Sequence, residues 1–170
     1  AVVRNAKTSR EELSRNQLVK SDLSIYIVYN CTTAAKLLMN IVVDTSIIIA
    51  VVTNEECKPQ IVSLTRNADL LAPSSLTWEI GNAFSAMFKR QRITLEQSRT
   101  ALDAFRKIPI RLVDVDLEKT LKVAKELDIY AYDAYFIVCA QKHQCQLISL
   151  DSGLLDAAER AKVESIEVIS

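Results

Sequence analysis

The chain has 170 residues, with 21 basic and 21 acidic side chains and a formal net charge of zero, so no global charge attracts it to nucleic acid or to a membrane surface. Hydrophobic residues make up 49% of it and Gly plus Pro only 2 and 3 residues, which excludes disordered, collagen-like and low-complexity classes. The length fits one domain with a substantial core. No apolar run reaches the roughly 20 residues of a membrane span, and residues 1–20 are mostly polar and contain no long apolar run, so we expect no secretory signal.

The four cysteines have neither C-x-x-C pairs nor the spacing of a metal finger: Cys31, Cys57, Cys139 and Cys145. Free thiols of this kind are typical of a reducing compartment. We therefore expect a cytoplasmic protein.

Residues 1–38 differ from the rest of the chain, with six basic and three acidic side chains and no glycine or proline. Met39 follows them directly and is a natural start, so we interpret residues 1–38 as an N-terminal extension, upstream or non-native sequence, and residues 39–170 as the domain. Within the extension, the pattern predicts a helix at 10–20. It also predicts a strand at 24–29, either an extra edge strand or a segment that pairs with another copy.

The run IVVDTSIII at residues 41–49 is apolar and β-branched except at its centre. It predicts a strand buried on both faces, as in a parallel sheet covered by helices. An ionised Asp44 within that strand needs a compensating partner, namely a basic side chain, backbone N–H groups or a metal ion.

After this strand, the helix caps and helix-breaking residues divide the sequence into alternating helices and strands. Helices are predicted at 55–67, 75–91, 94–107, 116–127, 132–143 and 154–161, and strands at 69–72, 110–115, 145–150 and 164–169. This alternation predicts an α/β fold, a three-layer α/β/α sandwich with a mostly parallel central sheet.

The apolar side chains of the helix at 75–91 cover more of its surface than the one stripe that can face the core. Trp78 and Phe88 are displaced from the stripe that Ile80 and Phe84 use for the core. We expect the remaining apolar positions of this helix, with Ile61 and Leu64 of the preceding one, to form a patch that is buried against a second protein. The further members of the set on the helix at 75–91 are Leu76 and Met87.

Four acids fall where strands end or helices begin. Asp44 lies in the first predicted strand and Asp151 directly follows the strand at 145–150, whereas Glu79 and Asp133 lie in the first turns of two helices. In an open α/β sheet these places meet at the carboxyl ends of the strands. Like charges are tolerated there when a divalent cation neutralises them.

The segments IVVDTSIII, SLTWEIGNAF, YAYDAYFIVCA and LISLDSGLL together resemble the PIN domain, and most closely the small PIN ribonucleases that serve as toxins of prokaryotic toxin–antitoxin pairs, the VapC type. The resemblance covers residues 39–170. It implies that the metal-binding catalytic residues are Asp44, Glu79, Asp133 and Asp151. Ser149 stands where the family often has threonine, and residues 1–38 have no counterpart.

The resemblance implies an endoribonuclease that uses Mg²⁺ or Mn²⁺, binds an antitoxin protein and forms a homodimer. Ser46 and Ser149 would donate hydrogen bonds to the site, and Glu79 would bind metal directly or through water. Candidate contacts to RNA phosphates are Lys58, Arg90 and Arg92. His143 is predicted to lie far from the acids, so we do not assign it the role of general base.

Three other classes of protein share parts of this pattern. A receiver-type phosphoacceptor needs an acidic pair after the first strand, and a haloacid-dehalogenase-type phosphatase needs D-x-D where this chain has Asp44, Thr45 and Ser46, so neither fits. The third is a catalytically silent PIN-like module that binds RNA or protein. Its sequence mark is a lost acid, and all four acids are present.

Overall fold

The computed structural model describes residues 39–168, which form a five-stranded sheet and seven helices. The strands are β1 (Met39–Val43), β2 (Ala68–Pro73), β3 (Ile110–Val113), β4 (Gln146–Ile148) and β5 (Ser165–Ile166). The helices are α1 (Thr45–Val52), α2 (Lys58–Leu64), α3 (Leu76–Lys89), α4 (Leu95–Phe105), α5 (Leu117–Leu127), α6 (Ala131–His143) and α7 (Ser152–Arg160). The helix predicted at 10–20, the strand predicted at 24–29 and Cys31 lie outside the described residues.

The sheet has the order β3-β2-β1-β4-β5, and all four neighbouring pairs are parallel. The predicted α/β sandwich with a parallel sheet is therefore confirmed. From β1 the chain moves outward through β2 and β3, and it then returns to place β4 on the other side of β1. The strand order reverses between β1 and β4, which is where open α/β sheets hold their ligands.

The strand predicted at 41–49 is wrong in its second half. β1 ends at Val43, Asp44 is the N-cap of α1, and the remaining apolar residues are helical. Because α1 packs against α2, α3 and α4, its residues Ile47, Ile48 and Ala50 are all buried, so the run shows no helical periodicity. The sequence Asp-Thr-Ser before an apolar run is a helix-start signal, and it could have identified this boundary.

The other predicted elements agree with the structure in type, and their ends differ from the predicted ones by at most three residues. The helix predicted at 55–67 begins only at Lys58, with Pro59 in its first turn. Thr94 and Gln97 form the predicted capping box of α4, and Asp116 caps α5 by accepting from the Lys119 N–H at 2.7 Å. None of the helices within residues 39–168 is both long and apolar enough to cross a bilayer.

The predicted apolar patch is partly wrong. Ile61 is only 2% exposed and belongs to the core, and Leu64 packs against that core. Leu76 and Phe84 are also buried, and Met87 packs against the core, which leaves Trp78 and Phe88 as the exposed members. The surface predicted for a partner is therefore smaller than the sequence indicated.

The cysteines among the described residues have free thiols: Cys57, Cys139 and Cys145. Cys139 lies in the core, and burial raises the pKa of its thiol to about 12. A thiol with so high a pKa stays protonated and acts as a small apolar side chain.

Candidate active site

Asp44 lies at the carboxyl end of the central strand β1, beside the neighbouring strand β4. Its N–H donates to the Ile148 carbonyl oxygen at 3.1 Å, so the pairing with β4 extends as far as Asp44. The backbone is extended there, and the side chain accepts from the Ser46 N–H at 3.1 Å as the cap of α1. The carboxylate, 6% exposed, is thus fixed at the point where the strand order reverses.

Two serine hydroxyls hold the same oxygen of Asp44. Ser149 donates to Asp44 Oδ2 at 2.8 Å, and Ser46 also donates its hydroxyl to this oxygen. The Ser46 hydroxyl accepts from the Leu150 N–H at 2.9 Å, which ties the start of α1 to the segment after β4. Both serines predicted to donate hydrogen bonds at the site are therefore placed beside Asp44, and they leave Asp44 Oδ1 without a hydrogen bond from the described residues.

Asp151 follows β4 and caps the next helix. Its Oδ1 accepts from the N–H groups of Gly153 at 2.8 Å and Leu154 at 3.2 Å, at the start of α7. Its own N–H donates to the Ser149 hydroxyl at 2.9 Å. One hydroxyl thus connects the backbone of Asp151 to the carboxylate of Asp44.

Glu79 is the fourth residue of α3, and its half-buried carboxylate points toward the start of α1. Thr45 donates its hydroxyl to Glu79 Oε2 at 3.0 Å, a contact that sequence reasoning missed because it placed Thr45 in a strand. The Ser75 hydroxyl lies close enough to the Glu79 carboxylate to favour its charged form, which lowers the pKa of Glu79. The two groups do not, however, reach the geometry of a hydrogen bond. Glu79 Oε1 therefore remains buried without a partner.

Asp133 lies in the first turn of α6 and is half-buried. No described residue donates a hydrogen bond to it. Burial raises the pKa of its carboxyl, and the charges of Asp151 and then Asp44 raise it further. Of the four acids, Asp133 has the fewest compensating contacts.

The four acids lie close enough for their charges to interact. We call this set the acidic cluster, and its members are Asp44, Glu79, Asp133 and Asp151. Burial is the main cause that raises the pKa of Glu79, hydroxyl groups oppose it, and the charges of Asp44 and Asp133 add to it. Among residues 39–168 the ion pairs are Arg106 with Asp103 and Lys122 with Glu126, so no basic side chain there neutralises the cluster.

The donor set suits a hard divalent cation. Carboxylate oxygens are the ligands that Mg²⁺ and Mn²⁺ prefer, and the cluster has unused oxygens at Asp44 Oδ1, Glu79 Oε1 and Asp133. In the part of the chain that the structure describes, no three His, Cys, Asp or Glu side chains lie close enough to hold one ion directly. Because Mg²⁺ keeps several waters and takes only one or two carboxylates directly, the residues fit a hydrated ion.

Two of the three predicted phosphate contacts, Arg90 and Arg92, lie away from the cluster. Arg90 and Arg92 follow the last turn of α3, about 16 Å along the helix axis from Glu79 at 1.5 Å per residue. Lys58 begins α2 and donates to Asn54 Oδ1 at 3.2 Å. The two arginines therefore lie about three helical turns from Glu79.

His143 ends α6, about 15 Å along the helix from Asp133. Burial, and then the positive charges of Arg111 and Lys142, lower the pKa of its imidazole. A neutral imidazole this far from the acids has no part in their chemistry.

The sequence matches the family model of the PIN domain over residues 41–160, a range that contains all four acids and both serines. Among curated protein sequences, none matches this chain significantly.

Solved structures with a similar fold include PAE2754 from Pyrobaculum aerophilum, with a TM-score of 0.60, 19% identity and coverage of 78% of this chain and 88% of that chain. VapBC2 from Rickettsia felis, bound to a DNA fragment from their promoter, has a TM-score of 0.55 and 15% identity, with coverage of 75% and 98%. FitAcB from Neisseria gonorrhoeae has a TM-score of 0.56 and 14% identity, with coverage of 75% and 96%. At these identities the likeness shows the fold.

Proposed function

The chain belongs to the PIN domain family of nucleases, and from that membership we propose that it is a divalent-metal-dependent endoribonuclease, which hydrolyses phosphodiester bonds of RNA. The observation that carries the proposal is the acidic cluster, four carboxylates without a basic partner among the described residues, at the reversal of strand order. Such a cluster is costly unless a cation binds there.

Each acid has a separate part in this proposal. Asp44, Asp133 and Asp151 would bind Mg²⁺ or Mn²⁺, and Glu79 would do so directly or through water. When bound, the ion supplies positive charge and makes a water more acidic. Ser46 and Ser149 hold Asp44 Oδ2, so that Oδ1 stays directed at the site. Thr45 holds Glu79 Oε2 and leaves Oε1 free to bind the ion or orient the attacking water.

The biological role that we propose is that of a VapC-type toxin in a toxin–antitoxin pair. The support is the similarity of its fold to VapBC2 and FitAcB, together with the resemblance of its four motifs to those of VapC-type toxins. The partner would be an antitoxin protein that holds the nuclease inactive. We propose a cytoplasmic location, as is usual for an enzyme that acts on cellular RNA.

A homodimer is part of the same proposal. Phe88 is 38% exposed near the end of α3, where a large apolar side chain gains from burial against a second copy. Arg90 and Arg92, both exposed beside it, are proposed to contact phosphates of an RNA that extends beyond the cut site. Lys58 is proposed for the same role.

The test of the nuclease proposal is cleavage of a panel of structured and unstructured RNAs by the full chain. We expect endonucleolytic cuts with Mg²⁺ or Mn²⁺ and none with EDTA. Cleavage that continues in EDTA would contradict the metal dependence, and intact RNA under every condition would contradict the enzyme.

The alternative is a catalytically silent PIN-like module that binds RNA or protein. One observation favours it, namely that no three acidic side chains within residues 39–168 lie close enough to ligate one ion. Saturable RNA binding without cleavage, at any concentration of Mg²⁺ or Mn²⁺, would support this alternative over the enzyme.

A further inference from the structure

A groove of about 550 Å³ opens beside the acidic cluster. At one point it is lined by Thr45 and Glu79, which the proposed site also uses. From Glu79 it follows α3 past Asn82, Ala83 and Ala86. The spacing of three, four and seven residues from Glu79 places these side chains on one face of the helix. The groove is therefore continuous with the proposed site and extends along α3.

Two exposed aromatic side chains line the same groove. Trp78 of α3 is 72% exposed and Tyr132 of α6 is 52% exposed. The Tyr132 ring meets the Tyr135 ring edge to face, with centroids 6.1 Å apart and an angle of 81° between planes. This contact packs the Tyr132 ring against its neighbour one turn along α6. A large aromatic surface is thus held open to solvent next to the cluster.

The chemistry of the groove distinguishes among the parts of a nucleotide. It has no lysine or arginine among its lining residues, and it contains the carboxylate of Glu79, so it repels a phosphate. The Asn82 amide offers both a donor and an acceptor to the edge of a base. Ala83 and Ala86 are small and leave room for a flat ring.

We propose that this groove, bounded by α1, α3 and α6, binds an unpaired RNA base adjacent to the phosphodiester that lies at the acidic cluster. The base stacks on Trp78 or Tyr132, and Asn82 contacts its edge. The inference rests on the proposed function, because it places the base next to the bond that is cut. It makes the nuclease selective for unpaired segments, since a base stacked within a duplex cannot enter the groove.

Tryptophan fluorescence reports directly on this groove, because Trp78 is the one tryptophan of the chain. We would titrate the full-length Asp44→Asn protein with a single-stranded oligoribonucleotide and with the same sequence as a duplex, and follow intrinsic fluorescence. The Asp44→Asn change keeps the RNA intact during the measurement. We expect the single strand to quench Trp78 emission saturably and the duplex to leave it unchanged.

Substitutions then separate the groove from the rest of the surface. Trp78→Ala and Tyr132→Ala are each expected to weaken binding of a labelled single strand by about 5- to 150-fold, the range for loss of one stacked base. Trp78→Phe should restore most of the affinity. Tyr130→Ala is the matched control, because Tyr130 is 84% exposed and lies outside the groove lining. Circular dichroism checks folding, which the loss of an exposed ring should not affect.

The outcomes distinguish this inference from the proposed function. The protein could cleave RNA while its Trp78 emission does not change on addition of RNA and its affinity for single strands does not change with these substitutions. That result would overturn the inference about the groove and leave the proposed enzyme activity intact. Saturable quenching by single strands without any cleavage would support the groove and contradict the enzyme. Emission that responds to a co-encoded protein and not to RNA would assign the surface to a protein and overturn the inference.

Discussion

The hydroxyl of Ser149 donates a 2.8 Å hydrogen bond to Asp44 Oδ2, joining residues 105 positions apart in the chain. The same hydroxyl accepts from the Asp151 N–H at 2.9 Å. The Ser149 hydroxyl therefore positions two acids at once. It holds Asp44 through the carboxylate of that residue and Asp151 through the backbone N–H of that residue. Because Ser149 is 1% exposed, no water can readily replace it.

Removal of this hydroxyl should reduce activity more than folding. Ser149→Ala is expected to lower RNA cleavage by about 10- to 100-fold, as is typical when a group that orients metal ligands is lost. It leaves the Asp151 N–H without its partner, which costs about 1–3 kcal/mol of stability. Cleavage rates and thermal melts measure the two effects. Ser152→Ala, an exposed serine nearby, is the control, and equal activity of the two variants would contradict the role of Ser149.

The stability of the metal-free protein should depend on pH in a defined direction. Folding raises the pKa of Glu79 and of Asp133 above their ordinary values of 4.5 and 3.8, chiefly through burial. The folded state then binds protons that the unfolded state has already released. This contribution to stability is fully present below the unfolded pKa values and is lost as the pH rises through the folded ones.

The variant Asp133→Asn tests this dependence, because it removes one of the two groups. In EDTA, we expect its melting temperature relative to the native sequence to increase as the pH rises from about 4 to 7. The control is Glu118→Gln, an exposed acid in the first turn of α5. A difference that stays constant or shrinks over this range would show that Asp133 is not destabilised in its charged form.

The proposed domain boundary predicts that residues 1–38 can be removed. A protein that starts at Met39 should stay soluble, unfold cooperatively and keep its nuclease activity, because the five strands and seven helices that the structure describes lie within residues 39–168. Thermal melts and dye binding to exposed apolar surface measure this. An insoluble or molten product would place the strand predicted at 24–29 in the core.

Self-association is predicted to depend on Phe88. Phe88→Glu should shift the full chain toward monomer, because it places a charge in an apolar contact. Sedimentation or light scattering across micromolar concentrations measures this, with Lys89→Glu as the neighbouring exposed control. A chain that is monomeric at every concentration, with or without the substitution and with any co-encoded small protein, would refute the interface and leave the nuclease proposal intact.

Much of the frame could be predicted from sequence, because several elements carry local signals. The Thr94 and Gln97 capping box, the Asp116 cap and the apolar stripe of α3 each depend on residues three or four positions apart, so the pattern alone reveals them. The placement of the acids at strand ends and helix starts followed from the rule for parallel sheets.

Other features depend on contacts between distant parts of the chain. The continuous apolar run of β1 and α1 hides a change from strand to helix, because α1 is buried by three other helices. Ile61 was assigned to the surface because its burial depends on tertiary packing. The hydrogen bond from Thr45 to Glu79 and the groove beside it join residues that no local pattern connects.

The substitution Asp44→Asn tests the central claim most directly. Asparagine caps helices as well as aspartate does, so α1 should keep its cap and the protein should remain folded, with a melting temperature close to that of the native sequence. The lost charge should reduce Mg²⁺- or Mn²⁺-dependent RNA cleavage by more than the roughly 100-fold that changes around metal ligands cause. Unchanged cleavage by a folded Asp44→Asn protein would contradict the assignment of the acidic cluster as the metal site of a ribonuclease.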